Sequence, residues 1–123
     1  MSDTKPLLMI VDDSRMSRML IKAIVVAQRP EWRIIEAASG DEAIARVDEE
    51  APDYITMDVN MPGTNGLEAA ERILEKHPGI RIAVCTANVQ ERMRDAAARA
   101  GLFFVGKPIT EATVAPALAF FGK

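Results

Sequence analysis

The chain has 123 residues, 49% of them apolar and 27% charged, and a net charge of -3. This is the make-up of one soluble globule large enough to bury its own core, which excludes disordered and secreted-scaffold classes. The slight acidity argues against sequence-independent nucleic-acid binding, which needs a basic excess. The lone cysteine, Cys85, excludes an intramolecular disulfide and makes a reducing, cytoplasmic setting the default. Residues 1–6 are polar and lack a signal-peptide core. No apolar run approaches the roughly 18 residues of a membrane span, so membrane insertion is not expected.

Short apolar runs alternate with longer segments rich in Ala, Glu, Arg, Met and Leu. The first run, Leu7–Val11, reads as a strand covered on both faces. Ser14–Gln28 follows as a helix, with Met16, Met19, Leu20, Ala23, Ile24 and Ala27 at helical spacing as core filling. It ends before Arg29-Pro30, since a residue before proline is pushed out of the helical region. A second strand, Arg33–Ala37, and a second helix, Gly40–Glu50, come next. The third strand is Tyr54–Asp58, and the third helix, Asn65–Lys76, stops before His77-Pro78-Gly79. The fourth strand is Ile80–Thr86, and the fourth helix, Asn88–Ala100, is capped by Gly101. Leu102–Gly106 is the fifth strand, and Thr110–Phe121 the last helical segment. Pro116 leaves two starts open for that helix. A start at Thr110 puts the proline in the interior, at a cost of about 3 kcal/mol; one near Thr113 puts it in the tolerated first turn.

Five strands alternating with five helices imply βαβ units with right-handed crossovers. The fold class is α/β: a doubly wound five-stranded parallel sheet with helices on both faces. Chemistry in such sheets gathers at the carboxyl ends of the strands. Asp12 and Asp13 follow the first strand, Asp58 ends the third, Thr86 ends the fourth and Lys107 follows the fifth. Like charges about 4 Å apart cost roughly 1 kcal/mol in water and about 4 at an effective dielectric near 20. Three carboxylates therefore need cations. Lys107 is one, and a divalent metal is the natural other. Carboxylate and carbonyl oxygens suit Mg²⁺, which also holds phosphoryl oxygens.

Each residue has a plainer reading alone. Asp13 or Ser14 would serve as a helix cap, and Asp58 as a turn residue before Met61-Pro62-Gly63. Thr86 would be an ordinary strand residue, and Lys107 a solvated lysine. None of these explains why such types stand at the ends of four strands of one sheet.

The stretches MIVDDSRMSR, DYITMDVNMPGTNG, IAVCTAN and FFVGKPIT run in order along the chain. Together they resemble the receiver domain of two-component response regulators, CheY-like and flavodoxin-like in fold, whose strand order 2-1-3-4-5 comes with the resemblance. The resemblance implies one receiver domain over residues 1–123, with no output domain after the last helix. It makes Asp58 the phosphoacceptor, and Asp12 and Asp13 the Mg²⁺-binding pair, with Asp13 the more direct ligand. Asn60 would give its backbone carbonyl to the metal. Thr86 would be the switch hydroxyl, Lys107 the phosphoryl partner and Phe104 the switch aromatic. Asn60 and Asn88 occupy the positions that tune phosphoryl lifetime. Both are small and neutral, so a moderate lifetime is expected.

The implied function is a phosphorylation-switched signalling module. A histidine kinase or phosphotransfer protein phosphorylates Asp58, and partner binding changes. A phosphorelay shuttle, a phosphate sink or a receiver excised from a longer protein fits as well. A haloacid-dehalogenase-like phosphatase is disfavoured, because it needs a carboxylate two residues beyond the nucleophile at the first strand. There Ser14 stands two beyond Asp12. Residues 112–122 carry no charge but include Val114, Leu118, Phe120 and Phe121. An apolar docking face for a downstream protein is therefore expected on the fourth helix, fifth strand and fifth helix, unless the alanines alone cover the outer side and Phe120 and Phe121 fold back onto the core. The first helix is the alternative. The arginines of the fourth helix read as a solvated face, and His77 as a helix-end residue.

Overall fold

The computed structural model describes residues 5–122. Five strands, β1 (Leu7–Val11), β2 (Arg33–Ala37), β3 (Tyr54–Asp58), β4 (Arg81–Thr86) and β5 (Phe103–Gly106), alternate with five helices. These are α1 (Arg15–Gln28), α2 (Gly40–Glu49), α3 (Gly66–Lys76), α4 (Glu91–Arg99) and α5 (Glu111–Phe121). All strand pairs are parallel, in the order β2-β1-β3-β4-β5. Among the described residues no helix is long and apolar enough to cross a membrane.

The central strands are apolar on both sides because both sides are covered. On one side Met9, Val11, Ile55, Met57, Ile82 and Val84 pack under α2, α3 and α4. On the other, Leu8, Ile10, Ala83, Cys85 and Val105 pack under α1 and α5. Alternation along each strand sends neighbouring residues to opposite layers.

Four helices begin with a side-chain cap. Ser14, Ser39, Asn65 and Thr110 each accept a hydrogen bond from the backbone N–H three residues on, satisfying one orphan donor of the first turn. α4 differs. Its N-cap Gln90 makes no such bond, and the helix starts three residues later than its pattern predicts. Thr86 Oγ1 instead accepts from the Asn88 N–H at 3.0 Å, and Asn88 Oδ1 from the Gln90 N–H at 3.1 Å. Such local bonds compete with helix formation. β4 and β5 each begin one residue later than expected.

The open question of α5 is answered by a reciprocal cap. Thr113 Oγ1 accepts from the Thr110 N–H at 2.9 Å, and Thr110 Oγ1 from the Thr113 N–H at 3.2 Å. The helix therefore begins at Glu111, with Pro116 inside it on the exposed side. Gly101 adopts φ +78 after the end of α4, the left-handed conformation that suits a glycine cap.

One expectation about faces is reversed, and for α5 the second of two alternatives is realised. The methionine stripe of α1 does not fill the core: Met16 is 65% exposed, Met19 57% and Leu20 47%. Ile21 and Val25 are buried instead. In α5, Phe121 is buried and stacks on Tyr54, with centroids 5.0 Å apart, and Phe120 stacks on Phe103 at the same distance. Both phenylalanines thus fold back into the layer between α5 and the sheet, and small residues cover the outer side.

Candidate functional site

The carboxyl rim of the sheet gathers residues from four loops. Asp12 follows β1 and is 1% exposed. Its N–H donates to the Ala37 carbonyl at 3.1 Å, and its Oδ1 accepts from the Ser14 N–H at 2.8 Å. Its Oδ2 is buried with no hydrogen-bond partner. Asp58 ends β3 and is 4% exposed. Paired with Cys85 across β3 and β4, it lies on the α1/α5 side of the sheet. The chain can pass so close behind it because residue 66 is glycine: a Cβ there would collide with the Asp58 carbonyl.

Lys107 follows β5, and its own N–H bonds the Thr86 carbonyl at 2.9 Å. Its Nζ reaches Asp58 Oδ1 at 3.1 Å and lies 3.7 Å from Asp12 Oδ2. The Lys107–Pro108 peptide is cis. Thr86, fully buried, presents its Oγ1 to the Asn88 N–H. Asn60 lies exposed in the loop after β3. That loop is pinned at both ends, by the Val59 N–H on the Cys85 carbonyl at 3.1 Å and the Gly66 N–H on the Val59 carbonyl at 3.0 Å. Thr64 ties its middle to α2 through a 2.7 Å bond to Asp41.

Burial, and then the charge of Asp12, push the Asp58 carboxyl above the usual carboxylate range, while Lys107 opposes the shift. Burial pulls the Lys107 ammonium down, but its hydrogen bond to Asp58 and the charges of Asp12 and Asp58 together leave it raised. The Cys85 thiol, beneath the rim, is pushed up to about 12 by burial and is inert as a nucleophile.

Asp12, exposed Asp13 and Asp58 each offer an oxygen, and these atoms lie within 4.8 Å of one another. The cluster could hold a metal ion. The Asp12 Oδ2 is the observation that fits one: it is buried with no hydrogen bond, and its nearest cation, Lys107 Nζ, stays 3.7 Å away, which leaves a costly unsatisfied carboxylate oxygen. All-oxygen donors suit a hard divalent cation.

Phe104 is not at the rim. It is half-buried on the α4 side of the sheet, and the Arg94 guanidinium covers its ring at 4.6 Å from the centroid. Arg94 Nε also donates to the Val89 carbonyl at 3.3 Å. The arginines of α4 are therefore not all a bare solvated face; Arg94 links α4, the β4–α4 loop and Phe104. Sequence spacing has no signal for that link, because the partners lie ten residues apart on different elements. His77 caps α3 as expected, its N–H on the Ile73 carbonyl.

Residues 8–119 match the family model of the response regulator receiver domain. The chain is 37% identical over 113 residues to the chemotaxis protein CheY of Listeria monocytogenes, spanning 90% of this chain and 93% of that one. It is 38% identical over 111 residues to the chemotaxis protein CheY of Thermotoga maritima, spanning 89% and 92%. Among solved structures, a CheX–CheY–BeF₃–Mg²⁺ complex from Borrelia burgdorferi superimposes with a TM-score of 0.87 at 26% identity, over 96% of this chain and 90% of that one. The strand order, the rim and these likenesses agree: the chain belongs to the response regulator receiver domain family of two-component signalling.

Proposed function

We propose that this receiver is a phosphorylation switch whose acceptor is Asp58. The carrying observation is a nearly buried carboxylate 3.1 Å from Lys107 Nζ and beside two further carboxylates. Asp58 attacks the phosphorus of a phosphohistidine on a histidine kinase or phosphotransfer protein. The N–P bond breaks as an acyl phosphate forms on the carboxylate. Such transfer needs mainly in-line positioning and charge neutralisation. Lys107 supplies one positive charge. Mg²⁺, held by Asp12, Asp13, Asp58 and the Asn60 carbonyl, would supply the rest when bound. The Thr86 hydroxyl accepts from Asn88, so its own proton is free to donate to a phosphoryl oxygen. The new charge draws Thr86 and Lys107 inward, and the loops after β4 and β5 follow. Phe104 and its Arg94 cover lie on the elements next to those loops and carry the change outward.

The exposed apolar face of α1, Met16, Met19 and Leu20, is the docking surface for the phosphodonor in this reading. It starts one turn from Asp13, so a partner seated there has its histidine at the rim. The site is a cytoplasmic one in this reading, since two-component phosphotransfer draws on ATP-fed kinases.

The test is labelling by a small acyl phosphate. Asp58→Asn abolishes it, and Asp13→Ala or a chelator suppresses it. Labelling of Asp58→Asn at the wild-type rate would sink the assignment.

A further inference from the structure

Arg18 lies in the second turn of α1 with its side chain only 16% exposed. Its guanidinium is used twice. Nε donates to Glu36 Oε1 at 2.8 Å, and Nη1 to the Asp12 carbonyl oxygen at 2.7 Å. Glu36 stands on β2, opposite Ile10 of β1. Its own main-chain oxygen accepts from Arg46 of α2 at 3.0 Å, and Lys22 Nζ lies 3.9 Å from its other carboxylate oxygen. A chain of contacts therefore runs from α2 through β2 and Arg18 to the Asp12 peptide.

Asp12 has four polar groups. Its N–H is bound by Ala37, its carbonyl by Arg18 and its Oδ1 by Ser14. The fourth, Oδ2, has no hydrogen-bond partner and is buried. An arginine beside an acidic cluster would ordinarily fork onto the carboxylates, where its two parallel donors bind best. Arg18 does not. Its charge is taken up by Glu36, and its remaining bond goes to a neutral carbonyl. The carboxylates stay free of it, and the peptide that aims Oδ2 is held in one orientation.

We propose that Arg18, anchored by Glu36, is a positioning residue for the metal site: it locks the Asp12 peptide so that Oδ2 is presented to the cation, and it keeps its own charge out of the cluster. The proposal rests on the reading that Asp12, Asp13 and Asp58 hold Mg²⁺. Partners one step behind metal ligands typically change affinity 10–100-fold when removed.

The experiment is calorimetric titration of Mg²⁺ into wild type, Arg18→Met, Arg18→Lys, Glu36→Ala and the double variant Arg18→Met/Glu36→Ala. Mg²⁺ should bind Arg18→Met about tenfold more weakly. Arg18→Lys, which cannot donate in two fixed directions, should restore little of that. Glu36→Ala should lose several-fold, and the double variant no more than Arg18→Met, because the two residues act as one unit. In labelling by an acyl phosphate, the half-saturating Mg²⁺ concentration should rise by the same factor while the rate at saturating Mg²⁺ holds within about twofold. A purely structural role would lower the saturated rate and leave half-saturation in place, which overturns the proposal. Wild-type Mg²⁺ affinity in Arg18→Met, or additive losses in the double variant, overturns it too. Should Arg18→Met fail to fold, Glu36→Ala decides alone, and unchanged affinity there is fatal. If wild type itself takes up no Mg²⁺, the metal reading falls and the proposal falls with it.

Discussion

α1 and α5 cover the same side of the sheet and pack on each other, yet their outer faces differ in kind. α1 presents Met16, Met19, Leu20 and Val26 to solvent, all between 47% and 65% exposed. α5 contains about as much apolar mass but shows little of it: Val114, Leu118 and Phe121 are buried, and its exposed positions include Glu111, Ala112, Pro116 and Ala119. Beyond Glu111 the helix is uncharged, with small residues outside and aromatics inside. α1 carries two apolar stripes. Ile21 and Val25 meet the sheet, and the methionine stripe is left over. A helix needs one apolar stripe to be held in place; the second is surplus to folding and available to a partner.

The largest expected effect separates the two helices by stability. Phe121→Ala removes a side chain stacked on Tyr54 and should cost about 3–5 kcal/mol in urea unfolding. Leu20→Ala, on the exposed stripe, should stay within about 0.5 kcal/mol. A loss above about 1.5 kcal/mol for Leu20→Ala would mean that the α1 stripe is structural, since surface changes away from special features stay small.

The next effect separates them by function. Charging the α1 stripe with the pair Met16→Glu and Leu20→Glu should slow phosphotransfer from the donor protein at least about tenfold, the worth of roughly 1.4 kcal/mol of docking. Labelling by a small acyl phosphate should be unchanged, because the rim is untouched. The matching pair Ala112→Glu and Ala119→Glu on α5 should leave both rates alone. Equal slowing from either helix would erase the distinction.

Much of this was legible in the residues themselves. Asp12, Asp58, Thr86 and Lys107 were readable because each stands at the end of a strand, and strand ends in a parallel sheet share one rim. The faces of α1 and α5 were not. Met16, Leu20, Ala23 and Ala27 satisfy helical spacing as well as Ile21 and Val25 do, and spacing alone does not tell which stripe meets the sheet. The roles of Arg18 and Arg94 are hidden in the sequence for another reason. Their partners, Glu36 with the Asp12 carbonyl and Phe104, are brought to them by tertiary packing, and an arginine on a helix looks the same from sequence whether paired or solvated.

A smaller effect belongs to the floor beneath the two helices, where Asp58 ends β3. Folding holds its carboxyl above the ordinary range, first through burial and then through Asp12. The ionised form is therefore disfavoured by folding. That penalty is present above the raised value and vanishes as pH falls toward the ordinary value of 3.8. Asp58→Asn should accordingly stabilise the protein by about 1–2 kcal/mol at pH 7, with the gain shrinking as the solution is acidified. The Lys107 ammonium is held above its ordinary 10.5, so its contribution is present below that value and is lost as pH rises through the higher one. Urea unfolding of both proteins at pH 7 and pH 4 checks the sign. A gain that grows in acid would show that Lys107 overcompensates the repulsion.

The smallest effect lies two residues earlier on the same strand. Thr56 is 3% exposed, and its register partners Ile10 and Ala83 place it in the layer that α1 and α5 share. Its Oγ1 is buried without a hydrogen-bond partner. A buried hydroxyl left unpaired costs about 1–3 kcal/mol, whereas a methyl of nearly the same shape in that place costs nothing in lost bonds. Valine also keeps the β-branched form that suits a central strand. Thr56→Val should therefore stabilise the fold by about 1 kcal/mol and leave Asp58 labelling unchanged, since the side chain does not touch the rim. If the layer that α1 and α5 share is as dry as the burial of Ile21, Val25, Leu118 and Phe121 implies, the valine is accepted at no cost. A loss of stability on Thr56→Val would instead mark a water bound to that hydroxyl, and the layer beneath α1 and α5 would be polar at its centre.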